Sequence, residues 1–128
     1  MKYLLDTHLV LWGLTKDARL PERVLRLMQS PSDRVFVSMA SVWEVAIKHK
    51  KHSVEMPISS IDLLRYLQTF RSGILPIKPA HITATESLPD IHKDPFDRLL
   101  IAQALSEPMR FLTHDDTLTP YSELVEWV

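Results

Sequence analysis

Apolar residues occur along the chain as short uninterrupted runs, separated by longer stretches in which they recur every three or four positions. Lys2 to Leu5 is such a run, closed by Asp6-Thr7, and predicts a short strand. Leu9, Leu11 and Trp12 follow at helical spacing. Leu20-Pro21-Glu22 places a proline and an acid in a first turn, with Val24, Leu25 and Met28 behind it and Ser30-Pro31-Ser32-Asp33 as the stop. Arg34 to Ser38 holds Val35, Phe36 and Val37, a second buried strand. Val42, Trp43, Val45, Ala46 and Ile47 continue it as a helix wet along one edge. The basic stretch Lys48 to His52 closes that helix, where cations oppose the negative end of the backbone dipole.

Beyond Pro57, a helix with Ile61, Leu64, Leu67 and Phe70 on one face leads to Gly73 and a third apolar run, Ile74-Leu75-Pro76-Ile77. Pro79 to Leu88 predicts a helix ended by Pro89. Leu99, Leu100, Ala102 and Leu105 follow an Asp94-Pro95 start and make a helix apolar on most of its circumference, hence buried. Phe111-Leu112-Thr113 is a fourth strand, broken by His114-Asp115-Asp116, and Leu124 to Val128 a fifth. Strands alternating with helices predict an α/β fold whose mostly parallel sheet is covered on both faces.

Composition narrows the chemistry. With 128 residues, 45% of them hydrophobic and 24% charged, the chain fits one soluble domain spanning 1–128. There is no cysteine, which removes disulfides, zinc fingers and thiol nucleophiles and suits a reducing, cytoplasmic compartment. The two glycines, Gly13 and Gly73, lie too far apart for a phosphate-cradling loop. Asp6 interrupts the apolar start, so neither a signal peptide nor a membrane span is expected. Fifteen basic against sixteen acidic residues give no global basic field, so nucleic-acid contact would have to be local.

Open parallel sheets bind ligands beyond the carboxyl ends of their strands. Asp6, Glu44, Asp94, Asp97, Asp115 and Asp116 all fall there. Each has a structural explanation, since helix N-termini attract carboxylates. Ser41-Val42-Trp43-Glu44 reads as a capping box, Asp94-Pro95-Phe96-Asp97 as a cap with proline at the first helical position, and Asp116 as a solvated turn residue. Capping does not require carboxylates from four segments to converge. If they do, each pair about 5 Å apart repels by roughly 3 kcal/mol at an effective dielectric near 20, so the cluster must bind cations or take up protons. Oxygen ligands without cysteine predict Mg²⁺ or Mn²⁺, ions that promote phosphodiester hydrolysis.

Leu4-Leu5-Asp6-Thr7-His8, the Ser38 to Glu44 segment, His92 to Ala104 with its Asp-Pro-Phe-Asp-Arg-Leu-Leu-Ile-Ala-Gln-Ala core, and Phe111-Leu112-Thr113-His114-Asp115 together resemble a PIN domain, and more narrowly the VapC-type toxin ribonucleases of bacterial toxin-antitoxin pairs. The resemblance spans essentially the whole chain in the right order. It implies a three-layer α/β/α fold, metal-dependent cleavage of RNA, inhibition by a cognate antitoxin, and homodimerisation. By position, Asp6, Glu44, Asp97 and Asp115 are similar to the family's catalytic, metal-holding acids. Asp94 is auxiliary, Thr7, Ser38 and Thr113 resemble the hydroxyl residues that orient carboxylates or water, and Arg98 is a weaker substrate-binding candidate. A cap role stays equally open for Ser38.

His8, His92 and His114 each sit beside a proposed acid, but a two-metal site needs no histidine base, and they are read as bystanders. Trp12 and Trp43 are read as core or interface residues rather than base-stacking platforms. The competing expectation is a PIN-like interaction module without turnover, its acids serving as helix caps.

Overall fold

The computed structural model describes residues 1–70 and 73–128. Its strands are β1 (Lys2–Leu5), β2 (Arg34–Ser38), β3 (Ile74–Leu75), β4 (Arg110–Thr113) and β5 (Val125–Trp127). Its helices are α1 (Thr7–Thr15), α2 (Glu22–Gln29), α3 (Met39–Lys51), α4 (Ser60–Leu67), α5 (Pro79–Thr85) and α6 (Pro95–Ser106), with a 3₁₀ turn over Asp116–Tyr121. The five strands form one sheet in the order β3-β2-β1-β4-β5, every pair parallel.

Strand alternation explains the layers. Tyr3 and Leu5 of β1, with Val35 and Val37 of β2, pack into a core with Leu9, Val10 and Leu11 of α1, Val24 of α2 and Leu63 and Leu67 of α4. Leu4 and Phe36 point to the opposite face and meet Leu99, Leu100, Ile101 and Ala104 of α6. Leu4 and Leu5 are both fully buried, which is why β1 reads as an unbroken apolar run rather than an alternating one. The fold is therefore the expected three-layer α/β/α sandwich, and no described helix is long and apolar enough to cross a membrane.

Two local expectations are corrected. The third apolar run pairs only over Ile74–Leu75, because Pro76 has no N–H to continue the ladder. Helix α3 starts a turn earlier than a Ser41 cap would place it: Ser38 is the cap, its Oγ accepting the Ala40 N–H at 2.9 Å. Ser41 and Glu44 are thereby inside the helix, freed from capping and turned into the protein. The Asp94 cap is found as expected, its Oδ1 accepting from the N–H groups of Phe96 and Asp97 at 2.8 and 3.1 Å, with Pro95 following.

Successive strands step from β1 to β2 to β3 in one direction, then β4 and β5 lie on the other side of β1. The reversal leaves a crevice between β1 and β4 at their carboxyl ends. Asp6 follows β1 and Asp115 follows β4, so both acids fall at that switch point.

Candidate active site

The crevice is an open cleft of about 440 Å³, lined by Asp6, Glu44, Asp94, Asp97, Asp115 and Asp116 together with His8, Trp12, Arg19, Lys48 and His114. Carboxylates from the ends of β1 and β4, the middle of α3 and the start of α6 therefore converge.

Each is held differently. Asp6 is buried, and Thr113 at the end of β4 donates its hydroxyl to Asp6 Oδ2 at 2.6 Å. The same Thr113 oxygen accepts the Asp115 N–H at 3.0 Å, so one side chain ties two acids together. Thr7 lies 2.8 Å from both Glu44 Oε1 and Ser41 Oγ. A hydroxyl carries one proton, so donation to the carboxylate leaves Ser41 as the donor to Thr7. Lys48, one turn along α3, reaches the other Glu44 oxygen at 2.6 Å. Asp115 uses Oδ1 to accept both the N–H and the hydroxyl of Thr117, at 3.0 and 2.6 Å, which starts the 3₁₀ turn and leaves Oδ2 over the cleft.

Asp97 stands apart. Among the described residues none donates a hydrogen bond to its carboxylate, and a His92 ring nitrogen lies 3.7 Å away. Burial first, then the charges of Asp6, Asp94, Glu44 and Asp115, push its pKa up to about 7. Burial also raises Asp6, with Glu44 adding to it, against the opposing pull of the Thr113 hydroxyl and His8. Asp115 is shifted the other way, held below the usual carboxylate range by the Thr117 hydroxyl and then by His92 and His8. Partial burial pulls the Lys48 ammonium down, and Glu44, Asp94 and Asp97 overcome that pull, so its pKa lies above the ordinary lysine value. The raised acids, Asp6 and Asp97, mark a part of the cleft short of positive charge.

The sequence-chosen residues divide cleanly. Asp6, Glu44, Asp94, Asp97 and Asp115 share the cleft, and Thr7 and Thr113 orient two of them. Ser38 does not touch a carboxylate; it caps α3 and donates to Gln103. Arg98 is not free for substrate: its guanidinium donates to the carbonyls of Thr85 at 3.0 Å and Pro89 at 2.9 Å and to the Tyr121 hydroxyl at 3.2 Å, clamping the loop ahead of α6. Trp43 is 57% exposed and packs edge-on against Phe96, outside both cores.

Two residues that the sequence set aside, Lys48 as a helix-end cation and His92 as a bystander, face these acids, and Arg19 was not singled out at all. Lys48 sits at i+4 from Glu44, a spacing that pairs acid with base on a helix and could have flagged it. His92 offers one ring nitrogen toward Asp97 and the other toward Asp115, at 3.7 and 3.8 Å. One ligand atom each from His92, Asp97 and Asp115 lies within 4.8 Å of the others, a spacing that fits one cation. Since His92 Nδ1 accepts the Asp94 N–H at 3.2 Å, Nε2 is the nitrogen that faces Asp115 with its proton in the neutral ring. Arg19 enters from the α1–α2 loop and had no sequence signal.

A family model for the PIN domain matches residues 3–123. The chain belongs to the PIN domain family. Solved structures of similar fold match across most of their length. VapBC2 from Rickettsia felis, crystallised with a DNA fragment from its promoter, gives a TM-score of 0.73 at 13% identity, covering 100% of this chain and 98% of that one. VapBC-1 from nontypeable Haemophilus influenzae gives 0.64 at 21% identity, covering 100% and 97%. FitAcB from Neisseria gonorrhoeae gives 0.57 at 17% identity, covering 88% and 87%. A comparison with curated protein sequences gives no match.

Proposed function

We infer that this PIN domain is a Mg²⁺- or Mn²⁺-dependent endoribonuclease, the toxin of a toxin-antitoxin pair. The observation that carries the reading is the convergence of Asp6, Glu44, Asp97 and Asp115 in one cleft. Capping accounts for one oxygen each of Asp6, Asp94 and Asp115, but not for Glu44, which lies inside α3, nor for Asp97, whose carboxylate caps nothing. Buried and crowded carboxylates that favour protonation are the complement of a hard divalent ion, and oxygen donors with one imidazole suit Mg²⁺ or Mn²⁺.

Asp6, Asp97 and Asp115 would hold the ion, with Glu44 and His92 completing its surroundings. Such an ion supplies activated water and charge stabilisation for phosphodiester hydrolysis. The protein's own work is positioning. Thr113 fixes Asp6 and the backbone at Asp115, Thr7 and Lys48 fix the two Glu44 oxygens, and the Asp94 cap fixes the first turn that carries Asp97. Lys48 is still 43% exposed in its side chain and faces the cleft as the cation nearest in role to a phosphate partner.

The VapBC and FitAcB neighbours support a cognate antitoxin as partner. The apolar face of Trp43, Ile82, Phe96 and Leu99 is a surface suited to a partner chain, including a second copy in a homodimer. The deciding experiment incubates the protein with mixed cellular RNA, with and without Mn²⁺, and maps the cut ends. Cleavage at defined positions that requires Mn²⁺ and disappears in Asp97→Asn is expected. Activity that survives excess chelator, or an inert protein that binds no Mn²⁺, overturns the reading in favour of an interaction module.

A further inference from the structure

We propose that Trp12, His114 and Trp127 form a stacking platform for unpaired bases of an RNA strand beside the acidic cleft. The proposal rests on the nuclease reading above and adds how the substrate is gripped.

The three rings make a continuous strip. Trp12 meets His114 edge-on with centroids 5.1 Å apart, and His114 stacks on Trp127 at 5.5 Å with planes 26° apart. Trp12 and His114 line the same cleft as the carboxylates, whereas Trp127 lies on β5 at the same edge of the sheet, in register with Thr113. Trp12 is half-buried against the core beneath α1 and anchors the strip, whereas neither core uses Trp127, which is 54% exposed.

The strip is also held rigid. A carbonyl can only accept, so the 2.6 Å contact from His114 Nδ1 to the Val128 carbonyl puts a proton on Nδ1 and leaves Nε2 as the free nitrogen. The Trp127 indole N–H donates back to the His114 carbonyl at 3.3 Å. On the other side the Arg19 guanidinium lies 4.9 Å from the Trp12 ring centre, gripped by Asp17 at 2.7 Å. That approach depends on Lys16, which adopts φ 54° so that the Asp17 N–H closes α1 on the Trp12 carbonyl at 2.9 Å.

Electrostatics then favours a base-binding role. The cleft's carboxylates repel phosphate, and a net charge of −1 supplies no compensating field. Affinity for a strand beyond what Lys48 and a bound ion offer must come from contacts indifferent to charge, and base–aromatic stacking is one, because every base has a π-face. A strand whose backbone reaches Asp97 passes over rings that line the same cleft.

The probe is a fluorescently labelled ten-nucleotide oligoadenylate, titrated without metal into Asp97→Asn protein. Trp127→Ala in that background is expected to weaken binding about tenfold, with Trp127→Phe restoring it to within about threefold. Probes carrying one abasic position should lose affinity at one register in the Asp97→Asn protein, and not after Trp127→Ala. In the otherwise unaltered chain with Mn²⁺, Trp127→Ala should raise KM with kcat unchanged, and a melting curve checks that the variant is folded. Unchanged probe affinity and KM in folded Trp127→Ala overturn the platform and assign the strip to a protein partner, while cleavage itself continues. Ring-dependent probe binding by a chain that cuts no RNA upholds the platform and overturns the nuclease reading instead.

Discussion

Around the first turn of α6, six carboxylates share a cleft with few donors to answer them, whereas further along the same helix Gln103 sits in a polar network that leaves nothing over. Gln103 is fully buried; its Oε1 accepts from the Ser38 hydroxyl, and its Nε2 lies 3.3 Å from the Pro76 carbonyl and 3.2 Å from His81 Nδ1. His81, also buried, accepts the Lys78 N–H on that same Nδ1 at 3.0 Å, so its proton is on Nε2, donated to Glu107 at 2.6 Å. Glu107 is held below the usual carboxylate range by that hydrogen bond, with Lys78 adding to it. Every buried polar atom in the network has a partner within it, His81 Nδ1 sharing its one lone pair between Lys78 and Gln103, and it joins the end of β2, α5 and α6 without calling on any outside group. The acid cleft has acceptors in excess and is completed only by cations from outside. A closed polar network specifies structure, and an open one specifies a ligand.

Removing an acid is the largest way to break this contrast. Asp97→Asn is expected to lower cleavage by at least about a hundredfold, more than the loss typical of residues that merely support a metal ligand. It should also raise the melting temperature of the metal-free protein at pH 8, since it deletes a charge that burial and four neighbouring acids oppose. Cleavage rates and melting curves in chelator test both halves. A variant that loses activity and also melts lower would mark Asp97 as structural.

Gln103→Ala should show the converse. It strands the Ser38 hydroxyl and the Pro76 carbonyl in a dry interior, at a cost of about 2 to 4 kcal/mol. Chemical denaturation would measure the loss, and kcat at a temperature where the variant is folded should stay within about twofold of the parent. A comparable loss of kcat would mean that the two ends of α6 are coupled.

Thr113→Val sits between the two regimes, because it keeps the shape of β4 and removes only the hydroxyl that serves Asp6 and the Asp115 N–H. Support residues of this kind are worth about 10- to 100-fold in metal affinity, and Mn²⁺ titration should show a loss in that range. An unaltered affinity would mean that the backbone alone positions both acids.

The layered fold was legible because its signal is local: β1 and β2 are apolar on both faces, as strands of a buried parallel sheet must be, and α6 is apolar almost all round. The acids were legible for a related reason, since a parallel sheet places whatever follows each strand at one edge. Roles set by tertiary contact were not. Arg98 reads as a phosphate ligand until the carbonyls of Thr85 and Pro89 are seen to occupy it, and Ser41 reads as a cap until Ser38 is seen in its place. His92 looked dispensable because its two partners, Asp97 and Asp115, come from different segments brought together only by the fold.

The finest test is the pH dependence of the open cleft. Asp97 has a pKa pushed up to about 7 in the folded, metal-free protein against 3.8 for an ordinary aspartate, so between those values the folded chain keeps a proton that the unfolded chain has released. Its contribution to stability is therefore greatest at low pH and lost as pH rises through 7. A divalent ion must displace the same proton. Mn²⁺ affinity should fall about tenfold for each unit below pH 7 and level off above it. Asp6, raised by burial, steepens the acid limb. Titration calorimetry from pH 5.5 to 8.5 reads the slope directly, and Asp97→Asn should flatten what binding remains. An affinity independent of pH in the parent would mean that the ion binds without Asp97, and the cleft's excess of acid would then need a different purpose.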